Sequence, residues 1–157
     1  MCLTRLPKSD GSYLSTPNIK QAYDLWPNTK NTALADTAGW SNTEALIAAQ
    51  GSDYLGGATT TFRNGSSNQG YKDWFVPACG QLAYMYLNVT EINDLLAKCS
   101  NPAGTTLPTT SSDYHWSSSE YNTYNAWTVY FYVGCVDIFN KNDNHVGHVR
   151  FCRYITE

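Results

Sequence analysis

The chain has 157 residues, the usual size of one domain, and is 42% apolar and 14% aromatic but only 15% charged. That composition supplies a packed core and excludes a disordered chain, while a net charge of −3 lacks the clustered excess of Lys and Arg that nucleic-acid binding leaves in a sequence. No apolar run approaches the ~20 residues of a helical membrane span, and the first ten residues lack the apolar stretch and cleavage site of a secretory signal.

Taken in chain order, Thr16 and Pro17 form an N-cap with proline in the first turn, and Ile19, Ala22, Tyr23 and Trp26 then share one helical face. This predicts a short amphipathic helix. Ser41 and Glu44 have the capping-box spacing and precede Ala45, Leu46, Ala48 and Ala49, so a second helix is expected to open there and stop at Gly51. The stretch from Gly56 to Gly70, rich in Gly, Ser, Thr and Asn, reads as a loop with at most a short strand around Thr59 to Phe62. A strand-like run, Asp73 to Val76, ends at Pro77, which can open a helix because its missing N–H would be unpaired there anyway. Leu82, Met85 and Tyr86 give that helix a buried stripe. Thr90 is placed to cap a further helix with Ile92, Leu95, Leu96 and Cys99 on one face, and the turn-rich segment from Asn101 to Asp113 reads as a connection.

The final third changes period. Trp127, Val129, Phe131 and Val133 fall on one face of a predicted strand, and Thr128, Tyr130 and Tyr132 on the other. Gly134 breaks the strand, Val136 to Phe139 can pair back, and Val149 to Tyr154 reads as a last strand. The expectation is one α+β domain spanning 1–157, with short helices packed on a small antiparallel sheet.

Candidate chemistry is sparse. Cys2, Cys79, Cys99, Cys135 and Cys152 are odd in number and contain no Cys-x-x-Cys pair, so mostly buried thiols are expected. His145 and His148, with Asp143, lie in a polar loop before a strand, where their spacing need not bring them together, and no carboxylate-rich calcium loop is present. No metal and no cofactor are expected. Ser117-Ser118-Ser119-Glu120 lacks a nucleophile elbow and a matching His and acid. It reads as a turn whose hydroxyls bond backbone groups and whose Glu120 orders the neighbouring loop. Trp74, Trp116 and Trp127 are expected in the core with their indole N–H groups paired. Arg150 and Arg153, three apart on a strand, face opposite sides, and structural ion pairing is their default role.

Several short signatures occur in a distinctive order. They are Gly39-Trp40-Ser41-Asn42-Thr43, then Asp73-Trp74-x-x-Pro77-Ala78-Cys79-Gly80-Gln81-Leu82, then Trp116-Ser117-Ser118-Ser119-Glu120-Tyr121. Ala126-Trp127-x-Val129-x-Phe131, Gly134, Lys141 and Val149-Arg150-x-x-Arg153 follow. Over roughly residues 39–155 this series resembles the C-terminal domain of Legionella collagen-like adhesins and its bacterial and phage relatives. Phe75, Val76 and His115 depart from the usual pattern.

The resemblance implies a C-type-lectin-like fold of the formylglycine-generating-enzyme type. It further implies a variable protein of a diversity-generating retroelement, in which miscopied template adenines scatter Asn codons over a restricted residue set. The variable region would span about 121–151. Transferred by position, the variable, ligand-binding surface comprises Tyr124, Thr128, Tyr130, Tyr132, Val133, Cys135, Asp137, Ile138 and Phe139, together with Asn140, Asn142, Asp143, Asn144, His145, Gly147 and His148. Tyr offers large rigid contact area and Asn, Asp and His adaptable hydrogen bonds, as in paratopes. The implied role is a non-enzymatic receptor-binding module on a phage tail fibre, virion or bacterial surface, with a protein or glycan receptor and neither nucleic acid nor membrane insertion. A structural or homo-oligomerising fibre module, or an enzyme of the related fold, are the alternatives. Kinship with an oxidising enzyme does not transmit its activity, and Cys135 and Cys152 show no recognisable version of its cysteine motif.

Overall fold

The computed structural model describes residues 2–4, 30–52, 54–98, 106–109, 114–141 and 147–154. The helix expected after Thr16 and the position of Cys99 lie outside these residues. The described helices are α1 (Lys30–Ala35), α2 (Gly39–Gln50), α3 (Tyr54–Asn64), a 3-10 turn (Ser66–Asn68), α4 (Cys79–Leu87) and α5 (Val89–Lys98). Strand β1 (Cys2–Thr4) precedes them, and β2 (Tyr114–Glu120), β3 (Asn125–Tyr130), β4 (Cys135–Asn140) and β5 (Gly147–Arg150) follow. The molecule is α+β. None of the described helices is long and apolar enough to cross a membrane.

The strands form one sheet in the order β1-β5-β2-β3-β4. The β2·β3, β3·β4 and β1·β5 pairs are antiparallel, but β5 runs parallel to β2. The sheet is therefore mixed, not the purely antiparallel one expected. The last strand does not fold back on β4 as a hairpin. It enters between β1 and β2, and that placement sets its direction.

Both faces of the sheet are covered. On one face Leu46 of α2 and Leu55 and Phe62 of α3 pack with Val76, Tyr114, Trp116, Ala126, Val149 and Phe151. On the other, Ala33 of α1 and Cys79 and Leu82 of α4 pack with Leu107, Trp127, Val129, Phe131 and Val136. Successive residues of β3 thus feed two different cores, as strand alternation requires. Each large apolar side chain fully buried this way contributes about 1.5–3 kcal/mol.

Several local expectations change for identifiable reasons. Helix α2 starts two residues before Ser41, because Asp36 supplies the polar contacts: its Oδ1 accepts from Ala38 N at 2.9 Å and its Oδ2 from Asn42 Nδ2 at 3.0 Å. Ser41 donates back to Ala38 O, and Glu44 pairs with Arg63 at 2.7 Å, so no capping box forms. Gly51 does end the helix, with φ +59° and its N–H on Ile47 O. The Gly- and Thr-rich stretch expected as a loop is instead mostly helix α3. There a Cβ on Gly56 would stand 2.6 Å from Leu46 O, and one on Gly57 2.0 Å from Ser52 O. The glycines let α3 lie directly against α2, while Thr59 and Thr60 return their hydroxyls to carbonyls four residues back. Tertiary contact outweighs the ~1 kcal/mol that each interior glycine costs a helix.

Helix α4 begins at Cys79, two residues after Pro77, because the preceding run is pinned on both sides. Thr43 Oγ1 accepts from Val76 N, Pro77 O accepts from Ser118 N, and Phe75 bridges to Cys152. Leu82 is fully buried, and Met85 and Tyr86 pack partly buried against the second core, as the stripe predicted. Helix α5 begins at Val89, so Thr90 lies inside its first turn. Ile92 packs on the second core, whereas Leu95 is exposed. Ser117 to Glu120 lie in β2, not in a turn.

Candidate functional site

Strand β4 lies at one end of the sheet, and it carries the largest share of the candidate surface. It pairs with β3 residue for residue, from Asn125 opposite Asn140 to Tyr130 opposite Cys135. Residues facing one another across an antiparallel pair share a face. Cys135, Asp137 and Phe139 therefore lie on the face of Tyr130, Thr128 and Ala126, and Val136 and Ile138 on the face of Val129 and Trp127. Cys135, Asp137, Ile138 and Asn140 are exposed, Phe139 is half-buried and Val136 is core.

Two turns flank this strand. At one end Phe131 is buried, and Tyr132 and Val133 stand 54% and 59% exposed. Gly134 closes the turn with φ +65° and its N–H on Tyr130 O at 2.8 Å. A Cβ there would also fall 2.3 Å from the Tyr86 ring, so both conformation and space call for glycine. At the other end the carboxamide oxygen of Asn122 accepts from Tyr124 N and Asn125 N, both at 2.8 Å, which holds Tyr124 outward at 67% exposure.

Behind that second turn lies a buried ion pair. Lys141, only 2% exposed, donates from Nζ to Glu120 Oε1 and to Thr123 O, and its backbone N–H reaches Tyr124 O at 2.8 Å. Burial pulls the Lys141 ammonium below its ordinary pKa, and the Glu120 carboxylate opposes that shift. Glu120 thus does order the neighbouring loop. Sequence reasoning missed the structural roles of Lys141 and Asn122; an Asn at the head of Asn-Thr-Tyr-Asn is the turn signal that could have found the second.

The candidate residues divide accordingly. Tyr124, Tyr130, Tyr132, Val133, Cys135, Asp137, Ile138, Phe139 and Asn140 come together along β4 and its turns. Tyr130 is half-buried, beside Tyr114 and Phe139, and its hydroxyl pKa is raised by desolvation first and by Asp137 and Cys135 next. Phe139 stacks on Tyr114 with centroids 4.6 Å apart. Val133, expected on the inward face with Trp127, is exposed because the strand ends at Tyr130. Thr128, expected outward, has no exposed surface. It sits between its register partners Trp116 and Asp137 under the first core, with its hydroxyl on Asp137 O. Gly147 is also buried, against the Trp116 and Tyr114 rings, and cannot offer surface. His148 lies on β5 with its ring 5.5 Å from that of His115, with β2 and β3 between it and β4. Asn142, Asp143, Asn144 and His145 lie outside the described residues.

The hydroxyls of Ser117 and Ser119 on β2 are occupied. Ser119 Oγ donates to Asp36 Oδ2 at 2.5 Å and accepts from Cys79 N at 2.8 Å, and Ser117 Oγ donates to Trp127 O at 2.7 Å. These bonds pin β2 to the α1–α2 connection, to α4 and to β3. Burial pushes the Cys79 thiol up to about 12 and the Cys152 thiol up to about 11, whereas Cys135 is exposed. Trp116 and Trp127 are buried, and Trp74 Nε1 donates to Asn68 O at 2.9 Å. Arg153 grips both oxygens of Asp73, at 3.0 and 3.1 Å, the ion pairing expected of it. Comparison with family models, with curated proteins and with solved structures finds no match for this chain.

Proposed function

We propose that the chain is a non-enzymatic recognition module of C-type-lectin-like fold whose binding surface is the outer strand β4 with the turns at 121–124 and 131–134. One observation carries the reading. Around an interior packed on both sheet faces, four exposed large side chains gather along this edge: Tyr124, Tyr132, Val133 and Ile138. Asp137 stands with half-buried Tyr130 and Phe139 on one face of the strand and Asn140 with Ile138 on the other, so the surface wraps around the edge and polar groups occur on both sides of it. Rigid aromatic anchors among adaptable polar groups make an effective recognition surface, since little entropy is lost on contact.

The resemblance to retroelement variable proteins extends the reading. The residues of this edge are those that diversification would change, on a phage tail fibre or cell surface, toward a protein or glycan receptor. The enclosed Lys141–Glu120 pair and the Asn122 turn hold the backbone while side chains vary. The place of β4 at one end of the sheet also favours a second reading, edge-to-edge pairing between copies of the chain. Light scattering of wild type and of Ile138→Lys separates the two.

Two tests bear on the proposal. A display library randomised at Tyr124, Tyr132, Val133, Cys135, Asp137, Ile138 and Asn140 should yield folded binders to an unrelated probe protein such as hen lysozyme. Absence of folded binders removes the recognition reading. The neighbouring DNA should hold a near-identical repeat differing only at adenines, beside a reverse transcriptase gene; without it diversification falls and the binding surface stands.

A further inference from the structure

Away from β4, the first turn of α2, the run before Pro77 and the chain after β5 enclose an open groove of about 500 Å³ lined by Ala38, Trp40, Ser41, Asp73 and Tyr154. That volume lies within the ~300–1,000 Å³ of small-molecule sites. Two aromatic rings wall it. Trp40 is 38% and Tyr154 51% exposed, and both rest on the buried ring of Phe75, with centroids 6.3 and 4.8 Å away. Neither ring is needed to fill a core.

Each wall is held from behind. The Arg63 guanidinium stands 4.7 Å from the Trp40 ring centroid while its other atoms bond Trp74 O and Glu44. Gln81 Nε2 donates to the Tyr154 hydroxyl at 3.2 Å, which leaves the phenolic proton available to an incoming acceptor. Arg153, stacked 3.6 Å from the Tyr71 ring centroid, fixes Asp73 through both carboxylate oxygens. With its own backbone N–H also bonded to it, that carboxylate keeps lone-pair capacity for one further donor.

The charge balance selects the ligand. Arg153 and Asp73 neutralise one another, so the pair offers no net charge to an anion or a cation and the groove suits an uncharged molecule. That molecule should carry a flat C–H face for the rings and adjacent hydroxyls for Asp73, Ser41 and Tyr154. We propose that this groove is a glycan subsite, in which one neutral hexopyranose stacks on Trp40 and Tyr154 and donates hydrogen bonds from two adjacent hydroxyls, one to Asp73 and one to the Ser41 hydroxyl. The subsite is independent of the β4 surface and of its diversification.

The test uses the whole chain and four probes: the methyl glycosides of glucose, galactose, mannose and N-acetylglucosamine. The Trp40 indole N–H signal is followed by two-dimensional NMR, assigned with Trp40→Phe. At least one glycoside should shift it saturably with a millimolar Kd. Tyr154→Ala and Asp73→Asn should each weaken that binding at least tenfold in a folded protein, and Tyr132→Ala should leave it unchanged. The proposal is overturned if none of the four moves the signal or if folded Tyr154→Ala binds as well as wild type.

Discussion

Strands β3 and β4 are neighbours in one ladder, with matched length and a common register, yet they meet opposite fates. In β3 every residue from Ala126 to Val129 is buried, whereas β4 contributes only Val136 to the core and exposes Cys135, Asp137, Ile138 and Asn140. The same alternation operates in both. What separates them is the cover: β2 and β4 flank β3, and helices α2, α3 and α4 overlie its two faces, while among the described residues no strand lies beyond β4. Alternation decides which face a side chain takes, and only packing decides whether that face is wet.

The sharpest way to break the comparison is at the joint between interior and edge. Removing one partner of a buried ion pair strands the other, at about 3–5 kcal/mol. Urea unfolding of Lys141→Met or Glu120→Gln should show a loss of that order, while the double variant Glu120→Leu/Lys141→Met should recover most of it. A loss under about 1 kcal/mol in both single variants would show that the pair anchors nothing.

The comparison is sharpened by one substitution made on both strands. Thr128 and Asp137 are register partners on one face. Thr128→Tyr overfills a closed site and should cost about 1–3 kcal/mol, whereas Asp137→Tyr should stay within about 0.5 kcal/mol of wild type. Equal effects would remove the distinction between the strands.

Thiol reactivity gives a smaller, chemical contrast. At about pH 8 a thiol of pKa about 12 is ionised in roughly one molecule in ten thousand, so Cys79, and Cys152 nearly as much, should resist iodoacetamide in the native protein. Cys135 on β4 should react first of these three, as peptide mapping would reveal. Labelling of Cys79 before Cys135 would contradict the burial of α4.

The smallest effect belongs to the surface pair beside the groove. The Arg153 hydrogen bonds hold Asp73 below its usual 3.8. With a folded pKa below the unfolded one, the pair stabilises above that usual value and its contribution disappears as pH falls through the lowered one. Asp73→Asn should therefore narrow the stability gap between neutral pH and about pH 3, measured by urea midpoints. An unchanged gap would show that the pair contributes nothing to acid stability.

Much of this architecture was legible locally. Gly51 and Gly134 mark real stops, Leu82 and Met85 a real helical stripe, and Trp127, Val129 and Phe131 a real inward face. Helix α3 was not legible, because its glycines and threonines look like loop until Leu46 and Ile47 of α2 are laid across them. Along the candidate surface Tyr124, Tyr132 and Ile138 are exposed, but Thr128 and Gly147 are not. Their concealment depends on Trp116 and Tyr114, which arrive from another strand. Trp40 and Tyr154, far apart in the chain, share no pattern that could announce a common groove.

By itself the sequence determined the α+β class, the run of strands in the last third, and which side chains of β3 point together, since these follow from short-range periodicity and turn chemistry. Only the tertiary structure decided that the sheet has two cores, that β5 inserts parallel to β2, and that β4 ends the sheet with most of its side chains exposed. Those outcomes depend on which segments lie over which, and contacts between residues distant in the chain leave no local period to read.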